Sequence, residues 1–358
     1  MRRIGIIDCG TTNSRLQLVD EKGAVLGRAA AKIGVKDTAV QGSNRALRAG
    51  LEELFRIALD SAGLEPGDVD FVISSGMITS ELGILELPHM PAPAGLSDLA
   101  RGLAKVEGEH RLAVAPDLYL VRGVKNQANP PPGSPIAAVR ALDFMRGEET
   151  QIMGFLELYG GGIPTTVVNL SSHTKYISVD ESGRIRGSVT TLSGQVYESI
   201  LKETFIGKSV SPPASRDAGP ERTPDAEGDS RASTAELEAA MDLAAELVDS
   251  AGFLRSLVVP RFLDTLMATD WRIRRRFVES CLAADDLSAM NLFPEYGFPV
   301  GARIVLVGLP ERCGIFEYLL RRSGRAPDAR IETIADPDEV LRLAAVGALA
   351  IAWKAGLL

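Results

Sequence analysis

Residues 8–15 combine, in eight consecutive positions, the groups that a phosphate- and metal-binding turn requires. An acid at the end of a short strand, Asp8, can hold a hydrated Mg²⁺ ion. Gly10 lets the backbone turn sharply, so that N–H groups and hydroxyls after it face a phosphate, and Arg15 can add a charge-assisted contact. The alternative is an ordinary β-turn in which the aspartate only caps the backbone. The predicted phosphate-binding residues are Asp8, Gly10, Thr11, Thr12, Asn13 and Arg15, and Asp8 is the predicted metal ligand.

A second group of charged residues lies in Met145-Arg146-Gly147-Glu148-Glu149-Thr150-Gln151, at the start of a predicted helix over 147–158. The helix dipole favours two carboxylates in a first turn. Phosphoryl transfer needs positioning, Mg²⁺ and a group that accepts the hydroxyl proton, and either Glu148 or Glu149 can be that group. Arg146 can clamp a carboxylate bidentately. The alternatives are plain acidic capping for the glutamates and a surface ion pair for the arginine.

Residues 75–80, Ser75-Gly76-Met77-Ile78-Thr79-Ser80, follow a buried-type strand and are rich in small and hydroxyl-bearing side chains. Such a segment can line a polyhydroxylated substrate, and the candidates within it are Ser75, Gly76, Met77 and Ile78. The alternative is a plain loop between a strand and a helix. Among the histidines, His173 lies in a suggestive turn, whereas His89 and His110 are interpreted as ordinary polar positions.

The chain repeats one pattern of strand, turn and hairpin at an offset of 160 residues. Asp20-Glu21-x-Gly23 closes the first hairpin, and Asp180-Glu181-x-Gly183 closes the second. In the second copy the turn is 171–174, and Lys175 corresponds to Arg15. Coincidence is the alternative, but the agreement of strand, turn and cation favours two related domains. The candidates for a second set of phosphate contacts are Ser171, Ser172 and Lys175.

Apolar periodicity predicts the elements that would position these residues. Helices are predicted at 44–62, 234–257, about 311–322 and 337–355, and buried strands at 69–74 and 302–308. Residues 126–135 are rich in Pro and Asn and predict a loop. Residues 207–233 are rich in Pro, Ser, Asp and Arg and predict a mobile surface insertion. The basic run 272–276 is interpreted as a solvated helix face.

The 358 residues are 45% hydrophobic and 24% charged, with a mean hydropathy of +0.07, which is typical of a globular protein. A net charge of −8 and a pI of about 5.2 argue against a general nucleic-acid-binding or anionic-membrane surface. The sequence has no secretory hydrophobic region and no apolar stretch of 18 residues, so we expect a cytoplasmic protein. The spacing of Cys9, Cys281 and Cys313 predicts buried thiols.

Residues 8–15 resemble the first phosphate motif of the superfamily of sugar kinases, hexokinase, actin and heat-shock ATPases. A narrower resemblance covers most of the chain. Residues 145–154, residues 75–80 with Gly83, Glu86 and Pro88, and residues 172–176 are similar to motifs of the 2-dehydro-3-deoxygalactonokinase family. Three family motifs are altered here: Pro-Gly-Thr-His is Leu170-Ser171-Ser172-His173, Thr-Gly-Glu is Ser193-Gly194-Gln195, and Gly-Thr-Ser is Gly308-Leu309-Pro310.

The resemblance implies an α/β protein with the two-domain actin-like ATPase (ribonuclease H-like) fold, in which helices flank mixed sheets and ATP lies in the cleft between the domains. It places the sugar acid in a domain over 1–145 plus 338–358, and the nucleotide in a domain over 146–337 that includes Gly308. The implied activity is Mg²⁺- and ATP-dependent phosphorylation of the terminal hydroxyl of 2-dehydro-3-deoxygalactonate or a related 2-keto-3-deoxy sugar acid.

Two alternatives to this activity stay open. One is a non-catalytic relative that binds a sugar acid and serves as a sensor or partner surface. The other is a phosphohydrolase on the same fold. The expected partners are the small sugar acid and, as an open question, a second copy of the chain in a homodimer.

Overall fold

The computed structural model describes residues 1–127, 135–212 and 232–358. The strands are β1 (Arg3–Cys9), β2 (Ser14–Asp20), β3 (Val25–Ala31), β4 (Phe71–Gly76), β5 (Met90–Pro91), β6 (Ala104–Lys105), β7 (Leu118–Leu120), β8 (Val124–Lys125), β9 (Phe144–Met145), β10 (Thr165–Leu170), β11 (Thr174–Val179), β12 (Ile185–Thr191), β13 (Arg303–Gly308) and β14 (Arg330–Ile334). The helices are α1 (Val35–Gln41), α2 (Arg45–Ala62), α3 (Leu96–Arg101), α4 (Glu148–Tyr159), α5 (Ser193–Glu203), α6 (Ile206–Ser209), α7 (Thr234–Ala251), α8 (Phe253–Ser256), α9 (Val259–Thr265), α10 (Trp271–Asp286), α11 (Phe293–Tyr296), α12 (Pro310–Ser323) and α13 (Pro337–Lys354). Short 3₁₀ segments lie at Pro66–Asp68, Met77–Thr79, Gly108–His110, Pro135–Ala141 and Leu287–Leu292.

Two larger sheets share one topology. The first has the order β3-β2-β1-β4-β7-β6 and the second the order β12-β11-β10-β13-β14. In each, three antiparallel strands form a meander, and the next two strands, β4 and β7 in the first sheet and β13 and β14 in the second, add in parallel. At the far edge of the first sheet, β6 pairs antiparallel with β7. Parallel addition requires a crossover, which α1 and α2 supply in the first unit and α5 to α11 in the second. A small sheet, β5-β8-β9, lies beside the first.

The two meanders agree in individual hydrogen bonds. In each hairpin an aspartate Oδ1 accepts from the N–H groups two and four residues later: Asp20 at 2.9 and 2.8 Å, and Asp180 at 3.0 Å for both. Both meanders also shift register at the equivalent place, between Leu18 and Val19 and between Ser178 and Val179. The repeat predicted from the sequence is therefore confirmed as a repeat of structure.

The copies differ in the turn between their first two strands. Four residues, 10–13, join β1 to β2, whereas three residues, 171–173, join β10 to β11. Asp8 pairs with Arg15 across the first meander, and Asn169 pairs with Lys175 across the second. An uncharged amide therefore occupies the place in the second unit that corresponds to Asp8.

The core is layered because the strands alternate their side chains between two faces. The inner faces of both sheets and the helices α4 and α13 share one core. Its members include Ile4, Ile73, Ile152, Phe155, Val167, Val305, Leu343 and Ile351. The outer face of the first sheet packs on α2, and that of the second sheet on α12 and α10. The order of layers is α, β, α, β, α, which confirms the predicted two-domain actin-like fold.

The helix α4 follows β9 of the small sheet, and α13 follows β14 of the second sheet. The two helices cross at a pair of glycines. A Cβ on Gly154 would overlap the carbonyl oxygen of Leu343, and one on Gly347 would overlap that of Thr150. Each glycine thus meets the carbonyl four residues before the other glycine, so the contact is reciprocal. Since α13 packs between the sheets, the bounds of the two domains at 145 and 338 stay a prediction.

Three sequence predictions need correction. The predicted helix 234–257 is divided, since α7 ends at Ala251 and Gly252, with φ +85°, separates it from α8. The predicted insertion begins later than residue 207, because Gly207 and Ser209 are buried in α6. The run 272–276 is not a fully solvated face: Arg274 is buried and donates to the carbonyls of Ser209 and Thr269.

Most of the predicted insertion (213–231) and of the predicted loop (128–134) lies outside the described residues. Cys9, Cys281 and Cys313 are buried free thiols, as expected. None of the helices within the described ranges is long and apolar enough to cross a bilayer.

Candidate active site

The first turn, residues 10–13, is braced at its base and open at its tip. The N–H of Gly10 donates to the carbonyl of Asn13 at 2.9 Å, and the carbonyls of Gly10 and Thr11 accept from the N–H groups that begin α1. Thr11, Thr12 and Asn13 are exposed. The N–H groups of Thr11 and Thr12 have no acceptor among the residues described. Free N–H groups beside exposed hydroxyls form a concavity that suits an anion.

Asp8 lies on the inner face of the first sheet, two residues after Ile6, and its half-buried carboxylate faces α4. Its Oδ2 lies 3.7 Å from Nη1 of Arg15. Burial raises the pKa of Asp8, the charge of Arg15 opposes that rise, and the negative charge of Glu148 adds to it. Asp8 and Glu148 are therefore near enough to interact electrostatically.

This donor set suits a hydrated Mg²⁺ ion. Within residues 1–127, 135–212 and 232–358, no three or more His, Cys, Asp or Glu side chains converge. Mg²⁺ commonly keeps several waters and binds one or two carboxylates together with substrate phosphates. Asp8, at the mouth of the phosphate turn, fits that mode of binding.

Two glycines bring the substrate segment against α4. Gly76, at the end of β4, has φ +93°, and a Cβ on it would lie 2.5 Å from the carbonyl oxygen of Cys9 and 3.4 Å from Oδ1 of Asp8. Gly147, with φ +111°, precedes α4, and a Cβ on it would lie 3.4 Å from the Cα of Gly76. The ends of β1 and β4 and the start of α4 thus meet with no side chain between them.

The two glutamates at the start of α4 have different surroundings. Glu149 is fully buried, and both its carboxylate oxygens lie 2.9 Å from the N–H of Gly147. Burial, and then the charge of Glu148, raise the pKa of Glu149 to about 8. Glu148 is half-buried, and its Oε2 has no partner among the described residues. With Gln151 and Asn169 it lines a small pocket between α4 and β10.

Only some residues of the predicted substrate segment, residues 75–78, direct their side chains toward the cleft. Ser75 is 6% exposed and lies opposite Asp8 in the parallel pair of β1 and β4. Met77 is partly buried. Ile78 is fully buried in the core between the first sheet and α2, so its side chain does not line the cleft.

Arg146 is tied to the same segment and is not a surface ion-pair residue. Its Nη1 donates to the hydroxyl of Thr79 at 2.7 Å, and its Nη2 donates to the carbonyl of Leu87 at 3.2 Å. The guanidinium is therefore held in place beside the junction of the glycines.

His89 belongs to a cationic region that the sequence did not indicate. Its ring lies 4.9 Å from that of Phe144, and its Nε2 is buried without a partner in the described part of the chain. Burial, and then the charges of Arg146, Lys125 and Lys175, lower the pKa of His89 to about 4, and the charge of Glu81 opposes them. The imidazole is therefore neutral at pH 7, and several cations act on one small region.

Lys175 has internal partners rather than an open ammonium group. Its Nζ donates to the carbonyl of Phe144 and to the hydroxyl of Thr190, both at 2.8 Å, and lies 3.9 Å from Oδ1 of Asp143. Lys175 contacts the strand that leads into Arg146, so it is not placed at the tip of the second turn. Asn169, which the sequence analysis did not single out, donates to Oε1 of Gln151 at 2.7 Å.

The second turn is closed on itself. The hydroxyl of Ser171 donates to the carbonyl of His173 at 2.9 Å, and Oγ of Ser172 lies 3.2 Å from Nδ1 of His173. Gly308 ends β13 beside Leu170, at the edge where this turn begins. Arg312, also not indicated by the sequence analysis, reaches the turn from α12, and its Nη1 donates to the carbonyl of Ser171 at 2.6 Å.

Two curated proteins that resemble this chain are described as 2-dehydro-3-deoxygalactonokinases. A probable 2-dehydro-3-deoxygalactonokinase of Rhizobium meliloti (strain 1021), DgoK1, is 25% identical over 204 residues, which are 57% of this chain and 58% of the relative. The 2-dehydro-3-deoxygalactonokinase of Escherichia coli (strain K12) is 25% identical over 141 residues, 39% of this chain and 41% of the relative. These matches thus span between two fifths and three fifths of the curated relatives.

A solved structure from Sinorhizobium meliloti, provisionally described as a 2-dehydro-3-deoxygalactonokinase, shares the fold with a TM-score of 0.67 and 21% identity. The similarity covers 96% of this chain and 95% of that one. The sequence profile of the 2-keto-3-deoxy-galactonokinase family matches residues 8–335, from the metal-binding candidate Asp8 to the end of the second sheet. The chain therefore belongs to the 2-keto-3-deoxy-galactonokinase family.

Proposed function

We propose that the protein is an ATP-dependent kinase that phosphorylates the terminal hydroxyl of 2-dehydro-3-deoxygalactonate or a related 2-keto-3-deoxy sugar acid. The observation that carries the proposal is the junction at the first turn of α4. There the phosphate turn with Asp8, the substrate segment with Gly76, and Glu148 come together. Family membership and the names of the relatives support the substrate class. A cytoplasmic location stays a prediction.

The phosphates of ATP fit between the two turns. Asp8 approaches α4 from the first sheet, and Asn169 approaches it from the second through Gln151. Both turns therefore open at the same end of α4, and the free N–H groups and hydroxyls of Thr11 and Thr12 are the donors of the first turn. A Mg²⁺ ion held by Asp8 would offset charge on the phosphoryl group during transfer.

The sugar acid fits the cationic region on the side of the first sheet. Arg146 is fixed by Thr79 and Leu87 and can pair with the carboxylate of the acid. His89 is neutral at pH 7, so its unpartnered Nε2 can form a hydrogen bond to a hydroxyl or keto oxygen. Ser75 and the backbone at Gly76 border the space between this region and Asp8.

The different surroundings of the two glutamates assign their roles in this proposal. Glu148 is the general base that accepts the proton of the terminal hydroxyl, since it is half-buried, interacts with Asp8 and has an unpartnered oxygen. Glu149 is a positioning residue, because it is fully buried and its oxygens accept from Gly147. Closure of the two domains on the sugar acid would exclude water from the cleft.

The test is a coupled ADP-release assay over a panel of five- and six-carbon 2-keto-3-deoxy sugar acids. We expect ADP release only when an acid of this class is present. Glu148→Gln should lower kcat by at least about 10²-fold, while Glu157→Gln, at an exposed position of the same helix, should leave kcat unchanged. A wild-type rate in Glu148→Gln would refute the role of Glu148.

The ADP-release assay, together with calorimetry, distinguishes the kinase from the two alternatives. A sensor predicts binding of a sugar acid in calorimetry but no ADP release with any acid of the panel, and its best support is the altered second turn. A phosphohydrolase predicts release of inorganic phosphate from ATP without any sugar acid. Either result would overturn the kinase proposal.

A further inference from the structure

The guanidinium of Arg312 is built into the second turn. Besides the carbonyl of Ser171, it contacts two hydroxyls: Nη2 donates to Thr174 at 2.7 Å and to Ser193 at 2.6 Å. Thr174 begins β11 and Ser193 begins α5, so one side chain joins the turn to both elements. Its position is therefore defined before any ligand arrives.

A buried acid behind the guanidinium fixes it further. Asp286, at the end of α10, is 2% exposed, and its Oδ2 lies 3.9 Å from Nη2 of Arg312 with no hydrogen-bond partner among the residues described. Its Oδ1 accepts from the hydroxyl of Thr191. Burial raises the pKa of Asp286, and hydrogen bonds from neighbouring hydroxyls and the charge of Arg312 oppose that rise and favour the ionised form. Asp286 thus holds Arg312 at the turn as its counter-ion.

Arg312 retains donors that the protein does not use. A guanidinium has five N–H groups, and three of those of Arg312 are bonded to the groups named above. Its Nε has no hydrogen-bond partner within the described ranges and is not fully buried. The side chain is 25% exposed, next to the exposed residues Ser171 and Ser172. The Nε–H therefore reaches the solvent beside the second turn.

The second turn itself offers little to a phosphate. It is one residue shorter than the first and contains no glycine, so its backbone has less freedom to approach an anion. Ser171 donates its hydroxyl to His173, and Ser172 contacts the ring of the same residue. A phosphate placed here needs a donor from outside the turn.

We infer that Arg312 binds the phosphate chain of the nucleotide and supplies the contact that the shortened second turn lacks. The inference rests on the proposed function, since it names a phosphate-binding residue of the same cleft. The N–H groups of Arg312 that remain free lie on Nε and Nη1, and charge-assisted hydrogen bonds to a phosphate are about twice as strong as neutral ones. A fixed guanidinium loses little side-chain entropy when the nucleotide binds.

The test compares ADP with adenosine by calorimetry in the presence of Mg²⁺. Adenosine lacks the phosphates, so the ratio of the two dissociation constants isolates the phosphate contact. Arg312→Gln should weaken ADP by about 10-fold or more and should leave adenosine within about twofold. Arg312→Lys keeps a charge without the planar fork, and its ADP affinity should be intermediate. Arg321→Gln is the matched control, because Arg321 lies on the same helix but pairs with Glu317 in solvent.

Equal weakening of ADP and adenosine by Arg312→Gln would show that the residue only braces the turn, and would overturn the inference. Unchanged ADP affinity would overturn it as well. If Arg312→Gln does not fold, as judged by circular dichroism, the ratio for Arg312→Lys decides. If the wild type binds ADP but forms no ADP from ATP with any sugar acid of the panel, the kinase proposal is refuted. Arg312 would then still be a phosphate-binding residue. A wild type that binds no ADP at millimolar concentration would overturn the inference itself.

Discussion

Replacing Glu149 with glutamine should make the protein more resistant to unfolding at alkaline pH. The carboxyl of Glu149 is fully buried and accepts from the N–H of Gly147. Burial and the neighbouring charge of Glu148 raise its pKa to about 8, from an ordinary value of 4.5. Glutamine has nearly the same shape as the neutral acid and can still accept from Gly147, but it cannot ionise.

The size of the effect follows from these two pKa values. A carboxyl whose pKa is higher in the folded state stabilises the fold fully below pH 4.5, and that contribution is lost as the pH rises to about 8. Each pH unit in this window corresponds to about 1.4 kcal/mol. The free energy of unfolding of the wild type, relative to Glu149→Gln, should therefore fall by about 4 kcal/mol between pH 5 and pH 8.

Urea unfolding of both proteins at unit pH intervals from 5 to 9 measures this difference. The comparison with the variant matters, because other carboxyls titrate in both proteins and cancel in the difference. Glu157→Gln, at an exposed position of α4, controls for the loss of a glutamate from the helix. Curves for the wild type and Glu149→Gln that stay parallel over this range would refute the assignment of a buried, protonated Glu149.

Three further substitutions test the frame of the site through the free energy of unfolding in urea. Gly76→Ala should cost about 2–4 kcal/mol, because a Cβ there would meet the carbonyl of Cys9 at a φ of +93°; a neutral result would contradict the junction at α4. Gly347→Ala should cost about 2–3 kcal/mol, whereas Gly314→Ala, in open space on α12, should change stability by less than about 1 kcal/mol; equal effects would argue against close contact of α4 and α13. Arg274→Gln should cost about 2–4 kcal/mol, since it leaves the carbonyls of Ser209 and Thr269 unpaired. A loss within about 0.5 kcal/mol would contradict the buried position of Arg274.

The fold was predictable where local chemistry determines it. The two hairpins have an aspartate and a glycine three residues apart, and in both the aspartate oxygen accepts the same pair of N–H groups. The helix over 44–62 was predicted from an apolar stripe, and that stripe is buried. Such signals depend on neighbours within a few positions, so one sequence is sufficient to read them.

The site was predictable only in part, because its missing members depend on contacts between distant elements. Nothing near Arg312 in the sequence shows that its guanidinium reaches a turn 141 residues earlier. The same holds for His89, whose low pKa depends first on burial and then on the charges of Arg146, Lys125 and Lys175. Lys175 was assigned to phosphate by its correspondence with Arg15, but a neighbouring strand supplies its partners.

The register of the strands and the direction of individual side chains were a second limit on what the sequence could predict. The resemblance of residues 171–174 to the first turn hides the loss of one residue, which becomes visible only when Asn169 is paired with Lys175. Ile78 lies in a run of small and polar residues, yet the 3₁₀ segment Met77–Thr79 directs it into the core. A change of one position in a turn reverses the face of every side chain after it, and composition alone cannot register that change.

The reciprocal contact of Gly154 and Gly347 has an evolutionary consequence. A contact in which each partner presents the same groups to the other is the kind that a twofold symmetric homodimer makes. The two larger sheets of this chain repeat the same meander; α13 follows the last strand of the second sheet, and α4 follows the small sheet beside the first. The chain then has the architecture of a fused dimer of one ancestral unit, with the former symmetry axis at the helix crossing. The two halves differ at the site, since the first has the acid Asp8 at the end of its first strand and the second has the amide Asn169 at the corresponding place.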